Sequence, residues 1–310
     1  SLTAAEYTVS SSVTALTITT ASGSVAFGDT QDDIHRFTGS LEISGSRIDF
    51  EDGYNSVAIG RNALASRTSG DGNIGIGYNA GDAITTAQGN VAIGYSALSA
   101  EDTAGGTVAI GYYALAVQNG SGINIGIGTQ AASRNTTGTR NILIGYQAGL
   151  GAVSANWSNN IGIGYQALYS LQGSGDHNVA IGNSAGFNIT TGDYNIAIGN
   201  DAGMTMSTTS NNITIGYSAG NDTAGNNAVI IGNYAGDDNS PSNSVIIGHQ
   251  AGRVVNGENA TVVGYQAMMA TTEPDNTAVG AYALTALVDG ENNTALGIAA
   301  GYRIDKGDDS

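Results

Sequence analysis

The sequence predicts an all-β chain wound into a parallel β-solenoid (β-roll or β-helix) of about 15 short coils, and three observations carry that expectation. An isoleucine–glycine pair, with Val or Leu for Ile in the last copies, returns about every 17 residues. The three residues before each glycine read β-branched, variable, aliphatic. Alanine stands three places after every one of these glycines. Self-similarity at a short fixed period marks stacked repeats, in which one unit cannot bury its apolar face alone.

Residues 1–50 precede the repeats as a β-rich leader. Val9, Val13, Leu16 and Ile18, then Phe37, Leu41, Ile43 and Ile48, read as irregular strands that dock on or cap the array. A cap is needed because an open first coil presents unpaired edges. The chain opens at Ser1, without methionine or a signal-peptide pattern, which predicts a fragment or a processed product.

Residues 51–302 form the array. Its fifteen copies centre on Gly60, Gly77, Gly94, Gly111, Gly128, Gly145, Gly164, Gly182, Gly199, Gly216, Gly232, Gly248, Gly264, Gly280 and Gly297. Spacings run from 16 to 19 residues, and the insertions fall near Trp157 and Gly173, outside the motif. In Asn90-Val91-Ala92-Ile93-Gly94 the alternation is that of a short strand with one face in a core. The β-branched face is expected inside, and the small middle residue on an outer face where something packs closely. The glycine supplies a positive φ or a close approach at a corner, as at Gly60, Gly77 and Gly94. The alanine, as at Ala63, Ala80 and Ala97, sits inside where the chain turns back.

Asparagine precedes the strand at Asn73, Asn90, Asn124, Asn141, Asn160, Asn178, Asn195, Asn212, Asn276 and Asn293, a position suited to a hydrogen-bonded ladder. In four copies, at Asn55, Asn227, Asn243 and Asn259, it reads as shifted one place earlier. Between copies lie polar segments such as Thr136-Thr137-Gly138-Thr139, expected as outer turns. Fifteen coils at about 4.8 Å each make a rod of about 70 Å. One such coil is thin, and three chains wound together would share a core and bury the Ala/Gly face, so a homotrimer is expected. Residues 303–310 form a C-terminal tail.

Composition narrows the function classes. The net charge is 9 − 26 = −17, and such a surface repels nucleic acid and anionic membrane. There is no cysteine, hence no disulfide and no thiol zinc site. No run of about 20 apolar residues offers a membrane-spanning helix, so no membrane insertion is expected.

The motif Asn55-Ser56-Val57-Ala58-Ile59-Gly60 with Ala63 resembles the head repeat of YadA-like trimeric autotransporter adhesins, whose heads are trimers of left-handed parallel β-rolls. The longer form from Asn141 to Gly149 is similar to repeats of bacteriophage tail fibres and receptor-binding proteins, as is the leader from Asp32 to Ser46. The left-handed sense is implied by that resemblance alone. In the phage family an intramolecular chaperone often follows the array and cuts itself off at a serine. The tail through Ser310 is a candidate junction to such a domain. The period here is longer than in the compact adhesin heads, and no sustained heptads follow, which favours the phage version.

Candidate chemistry is sparse. His35, His177 and His249 lie in no motif that pairs them with a nucleophile. Acidic residues, among them Asp82, Asp102, Asp176, Asp193, Asp222, Asp237, Asp238 and Asp289, fall in the linkers without an inserted loop to form a glycosidase cleft. No enzyme and no cofactor are expected. Asp237-Asp238-Asn239 and Asp305 to Asp309 are the places for a structural calcium ion, though the calcium-roll repeat is missing. The residue after the repeat glycine is tyrosine in seven copies: Tyr78, Tyr95, Tyr112, Tyr146, Tyr165, Tyr217 and Tyr265. These form a candidate glycan-contact stripe, or a packing ladder at a subunit seam.

Together these features lead to the expectation of a structural, adhesive phage tail-fibre segment. It would be extracellular on the virion, mediating host attachment as a rigid trimeric rod with other tail proteins and a host-surface glycan or protein receptor as partners. The alternatives are a polysaccharide-degrading tailspike and the head of a bacterial trimeric adhesin.

Overall fold

The structure, a computed structural model, describes residues 55–304 apart from 102, 121, 153–155, 223–224, 239–240, 256, 272–273 and 288–289. The leader 1–50 and the tail from residue 305 onward lie outside the described residues, as do His35, Asp102, Asp289 and Asn239.

Each glycine motif ends a three-residue strand, from Val57–Ile59 in the first coil to Thr294–Leu296 in the last. The fifteen strands stack in chain order into one parallel 15-stranded sheet, with motif on motif in register. Val91 pairs with Val108, Ala92 with Ala109 and Ile93 with Ile110. The 19-residue spacing between Gly145 and Gly164 leaves that register intact, with Ile142 on Ile161. Near the C-terminal end a second parallel edge forms, where Val254–Val255 pairs with Ala270–Thr271 and Ala286–Leu287 with Arg303–Ile304. No helix occurs among the described residues. The result is a parallel β-solenoid.

The strand faces are the reverse of the sequence expectation. The middle residue points into the coil: Ala92, Ala109, Leu143, Ala180, Ala197, Ile230 and Ile246 are fully buried. The flanking β-branched residues point out, and Ile59, Ile163, Ile181, Val245 and Ile247 remain 36–50% exposed. The coil is narrow, so its interior at each level admits little beyond one large side chain. The bulky Ile and Val columns therefore stand on the outer face, where neighbours in register still pack on one another. This also removes core sharing as a reason for a trimer, because the Ala/Gly face is enclosed within its own coil.

The segments expected as outer turns supply core residues. Leu98, Leu115 and Leu168, four places after the repeat glycine, are fully buried, as are Ile84, Trp157, Leu171, Ile189 and Met206. Where the strand carries glycine, such a leucine fills the level: a Cβ on Gly75 would lie 2.8 Å from Leu64 Cγ, and one on Gly126 2.9 Å from Leu115 Cγ.

The repeat glycine is required twice over. Its φ lies between 121° and 141° throughout, outside the range of ordinary L-residues. A Cβ on Gly94 would also meet the carbonyl oxygen of Gly111 at 2.5 Å. The following alanine is fully buried from Ala80 to Ala283, as expected, and its N–H closes the turn onto the glycine carbonyl, as in Ala131 N to Gly128 O at 3.2 Å.

The buried asparagine ladder is continuous over several coils. The backbone N–H of Asn141 donates to Asn124 Oδ1 (2.9 Å), that of Asn160 to Asn141 Oδ1 (2.9 Å), and that of Asn178 to Asn160 Oδ1 (2.8 Å). The amide nitrogens reach across the coil to loop carbonyls, such as Asn141 Nδ2 to Trp157 O at 3.0 Å.

The four apparently shifted asparagines are not shifted. Asn55, Asn227, Asn243 and Asn259 occupy a separate, exposed corner with φ of 51–59°, where asparagine tolerates the left-handed conformation. In those coils the ladder position is Ser56, Ala228, Ser244 or Ala260. Ser56 Oγ and Ser244 Oγ take over as acceptors, from Asn73 N (3.1 Å) and Ala260 N (3.0 Å).

Candidate functional site

The glycine corner turns the next residue outward, so the tyrosines after it rise along one exposed line. Tyr78, Tyr95 and Tyr112 form one run, with ring centroids 5.0 and 5.4 Å apart and planes 16° and 25° from parallel. Tyr146 and Tyr165 form a second, at 5.2 Å and 10°. The spacing is that of the coils themselves, so the sheet rise sets the ring stack. All five rings are 38–50% exposed.

Tyr217 and Tyr265 join the line differently. Each meets a tyrosine from the next position along: Tyr217 with Tyr234 (5.1 Å, 69°) and Tyr265 with Tyr282 (5.3 Å, 79°). His249 lies between, 6.4 Å from Tyr234 and 5.6 Å from Tyr265. Tyr234, Tyr282 and Tyr113 stand two places after the glycine and escape a reading keyed to the first place. Their slot has φ of 48–60° and holds Asn, Ser, Gln, Asp or Ala elsewhere. Aligning the copies on glycine would have shown three tyrosines in it.

Glutamines in that same slot form a second ladder beside the rings. Gln166 Nε2 donates to Gln147 Oε1 (2.9 Å), and Gln147 Nε2 to Gln130 Oε1 (2.8 Å). The phenol of Tyr95 is raised above its usual pKa, first by the charge of Tyr113 and then by partial desolvation and a hydrogen bond to Tyr113. Tyr234 is raised chiefly by its hydrogen bond to Tyr217. Both shifts favour the neutral phenol.

Beside the stripe runs the outward Ile/Val face of the long sheet. Thr261, Thr277 and Thr294 continue its first column in the last coils. The line of left-handed corners bordering it carries Ile123, which is 67% exposed, and the stacked pair His177–Tyr194 at 4.7 Å.

Several of the described carboxylates hold backbone of the scaffold. Asp176 Oδ1 accepts from Ser158 N at 2.6 Å, and Asp193 Oδ1 from Asp176 N at 2.8 Å. Arg253 lies 3.9 Å from Asp237 and 3.7 Å from Asp238. Burial, then the charge of Asp238, raises the Asp237 pKa against the opposing pull of Arg253. Among the described residues no three His, Cys, Asp or Glu side chains gather as a metal site. No helix among them is long and apolar enough to cross a membrane.

No protein-family model matches the chain, and no match is found among curated proteins or among solved structures.

Proposed function

We propose that this chain is a structural and adhesive fibre segment of a bacteriophage tail, outside the cell on the virion, where a rigid parallel homotrimer presents repeated weak contacts to a host-surface receptor. The observation that carries the reading is the outward face of the 15-stranded sheet, where β-branched side chains stay partly exposed along the array. Apolar surface continuous over that length marks an interaction site. A second copy of the same chain, with the same rise and the same columns, fits it coil on coil, and three-fold closure leaves no open face. The resemblance of the repeats to trimeric adhesin heads and phage fibres favours three over two. Three copies on one rod raise avidity without new contacts, which suits a ladder of individually weak ring contacts.

The test is the solution mass by light scattering on a sizing column. The expected mass is near 93 kDa (3 × 31.1 kDa). A mass near 62 kDa (2 × 31.1 kDa) would replace three-fold by two-fold closure, and a stable 31.1 kDa monomer would sink the fibre reading.

A further inference from the structure

The tyrosine stripe has one rung missing between two stacked runs. Tyr112 ends the first run and Tyr146 begins the second, and the coil between them carries Thr129 in the same place. With a coil step of about 5 Å, the two rings stand about 10 Å apart across the small threonine. Both runs stack with planes at 10–25° to one another, so the terminal rings turn their outer faces toward this gap.

Neither face is covered by Tyr113. Its centroid is 4.5 Å from Tyr112 and 5.5 Å from Tyr95, while those two are 5.4 Å apart. That triangle puts Tyr113 beside the stack, between Tyr95 and Tyr112, and leaves the far side of Tyr112 open. Polar groups border the gap. Thr129 Oγ1 makes no hydrogen bond among the described residues. Gln130 receives from Gln147 Nε2 at 2.8 Å through its oxygen, which leaves its own amide N–H groups for a ligand. Next to it an open depression of about 310 Å³ is lined by Tyr113, Gln130, Ser99, Ser133, Ala116 and Val117.

We infer that the Thr129 gap is a binding slot for one neutral pyranose ring of a surface glycan, held between the faces of Tyr112 and Tyr146. A chair-form sugar is thicker than an aromatic plane, and about 5 Å on each side suits its axial C–H groups against the electron-rich ring faces. Thr129 Oγ1 and the Gln130 amide supply hydrogen bonds to its hydroxyls, and the neighbouring depression has room for the next sugar. The slot itself is lined by uncharged Tyr, Thr and Gln side chains, which suits a neutral ring, and the stretch 103–175 around it carries Arg134 and Arg140 but no carboxylate. Elsewhere in the stripe the tyrosines are stacked or met edge-on by the next tyrosine, apart from Tyr78, which Arg61 overlies at 6.0 Å, and Tyr165, beyond which two coils carrying Asn183 and Asn200 leave no second ring one slot away.

The inference rests on the reading of the array as a surface-binding rod, and its test separates the two. Maltohexaose, laminarihexaose, mannohexaose and chitohexaose are titrated against the chain, with saturation-transfer NMR as the readout. At least one is expected to bind. Thr129→Tyr completes the stack with a residue that seven other coils carry there, so it keeps the fold while filling the slot, and should weaken binding at least about tenfold. Tyr146→Ala should weaken it similarly. Asn200→Tyr, which adds a ring outside the slot, should leave it unchanged. Binding of none of the four sugars, or equal binding by Thr129→Tyr, overturns the slot. Light scattering on the same samples reports the fibre independently: a trimer that ignores sugar sinks only the slot, and a monomer that binds through Thr129 sinks only the fibre.

Discussion

Leu143 and Gly149 share one level of one coil, and a Cβ on Gly149 would lie 2.6 Å from Leu143 Cδ1. The large side chain comes from the strand here, so the position opposite must be empty. In the coil of Ala109 and Leu115 the assignment is reversed, with both residues fully buried. Interior volume is conserved at each level while its donor changes, as close packing in a narrow core demands.

A swap follows from this. Leu143→Ala alone should destabilise by about 2–5 kcal/mol through the cavity it leaves. Gly149→Leu alone should destabilise by overpacking. The double variant recreates the Ala109/Leu115 arrangement, and leucine already adopts φ of 48–54° at this corner in Leu98, Leu115 and Leu168. Its urea midpoint should recover most of the loss. A double variant no more stable than the worse single one would refute the exchange.

Asn141 offers a graded test of the ladder. Asn141→Ala leaves Asn160 N and Trp157 O without their partners at 2.9 and 3.0 Å, each worth about 1–3 kcal/mol when buried. Asn141→Ser should be milder, because Ser56 and Ser244 already accept the next coil's N–H in this place. Thermal melts of the two variants should rank serine above alanine.

The legible part of the fold was whatever every copy repeats. Gly94 and Ala97 have counterparts in all coils, so their corner and interior roles stood out. The inside of the strand did not. Alternation at Val91-Ala92-Ile93 shows that the two faces differ, and the habit of placing β-branched residues inward picked the wrong one for so narrow a coil. Leu115 was hidden because its slot holds Ala132, Gly149 or Met268 elsewhere, which breaks any apolar period. Tyr112 and Tyr146 were visible as members of a stripe, and Thr129 as a substitution in it. That their free faces meet across Thr129 depends on ring planes, which no spacing encodes.

Asp237 gives a pH dependence of definite sign. Burial, followed by the charges of Asp238 and Asp222, lifts its pKa in the fold above the ordinary 3.8, despite Arg253. The folded chain then keeps a proton that the unfolded chain has lost. Its contribution to stability falls as pH rises from about 3.8 through the raised value. Asp237→Asn should therefore raise the melting temperature at pH about 7 and leave it unchanged near pH 3, where the carboxyl is already protonated. A loss at neutral pH would show that the Arg253 contact outweighs burial.

The outward sheet face can be tested without touching a coil's interior. Ile163 is 36% exposed on it, and Ile163→Lys places a charge where a second copy is proposed to pack. Circular dichroism and the melting of the isolated coil stack should change little, since a surface lysine is tolerated on a sheet. The mass by light scattering should fall from near 93 kDa (3 × 31.1 kDa) to 31.1 kDa. An unchanged trimer would mean that another face makes the contacts.

Trp157, the single tryptophan, reports the longest inserted segment. It is fully buried, its backbone carbonyl receives Asn141 Nδ2, and a Cβ on Gly151 would come within 2.8 Å of its Nε1. The longer segment between Gly145 and Gly164 thus carries an indole into the coil interior. The ring nitrogen has no hydrogen-bond partner among the described residues, and leaving it buried carries a penalty. Native emission should therefore be blue-shifted and resistant to acrylamide, and should move red in one step with loss of the β signal. Trp157→Ala should destabilise by about 3–5 kcal/mol through its cavity. Trp157→Phe removes the unpaired N–H along with part of the volume, and should lose distinctly less. A negligible loss for Trp157→Ala would show that the indole fills no space that matters.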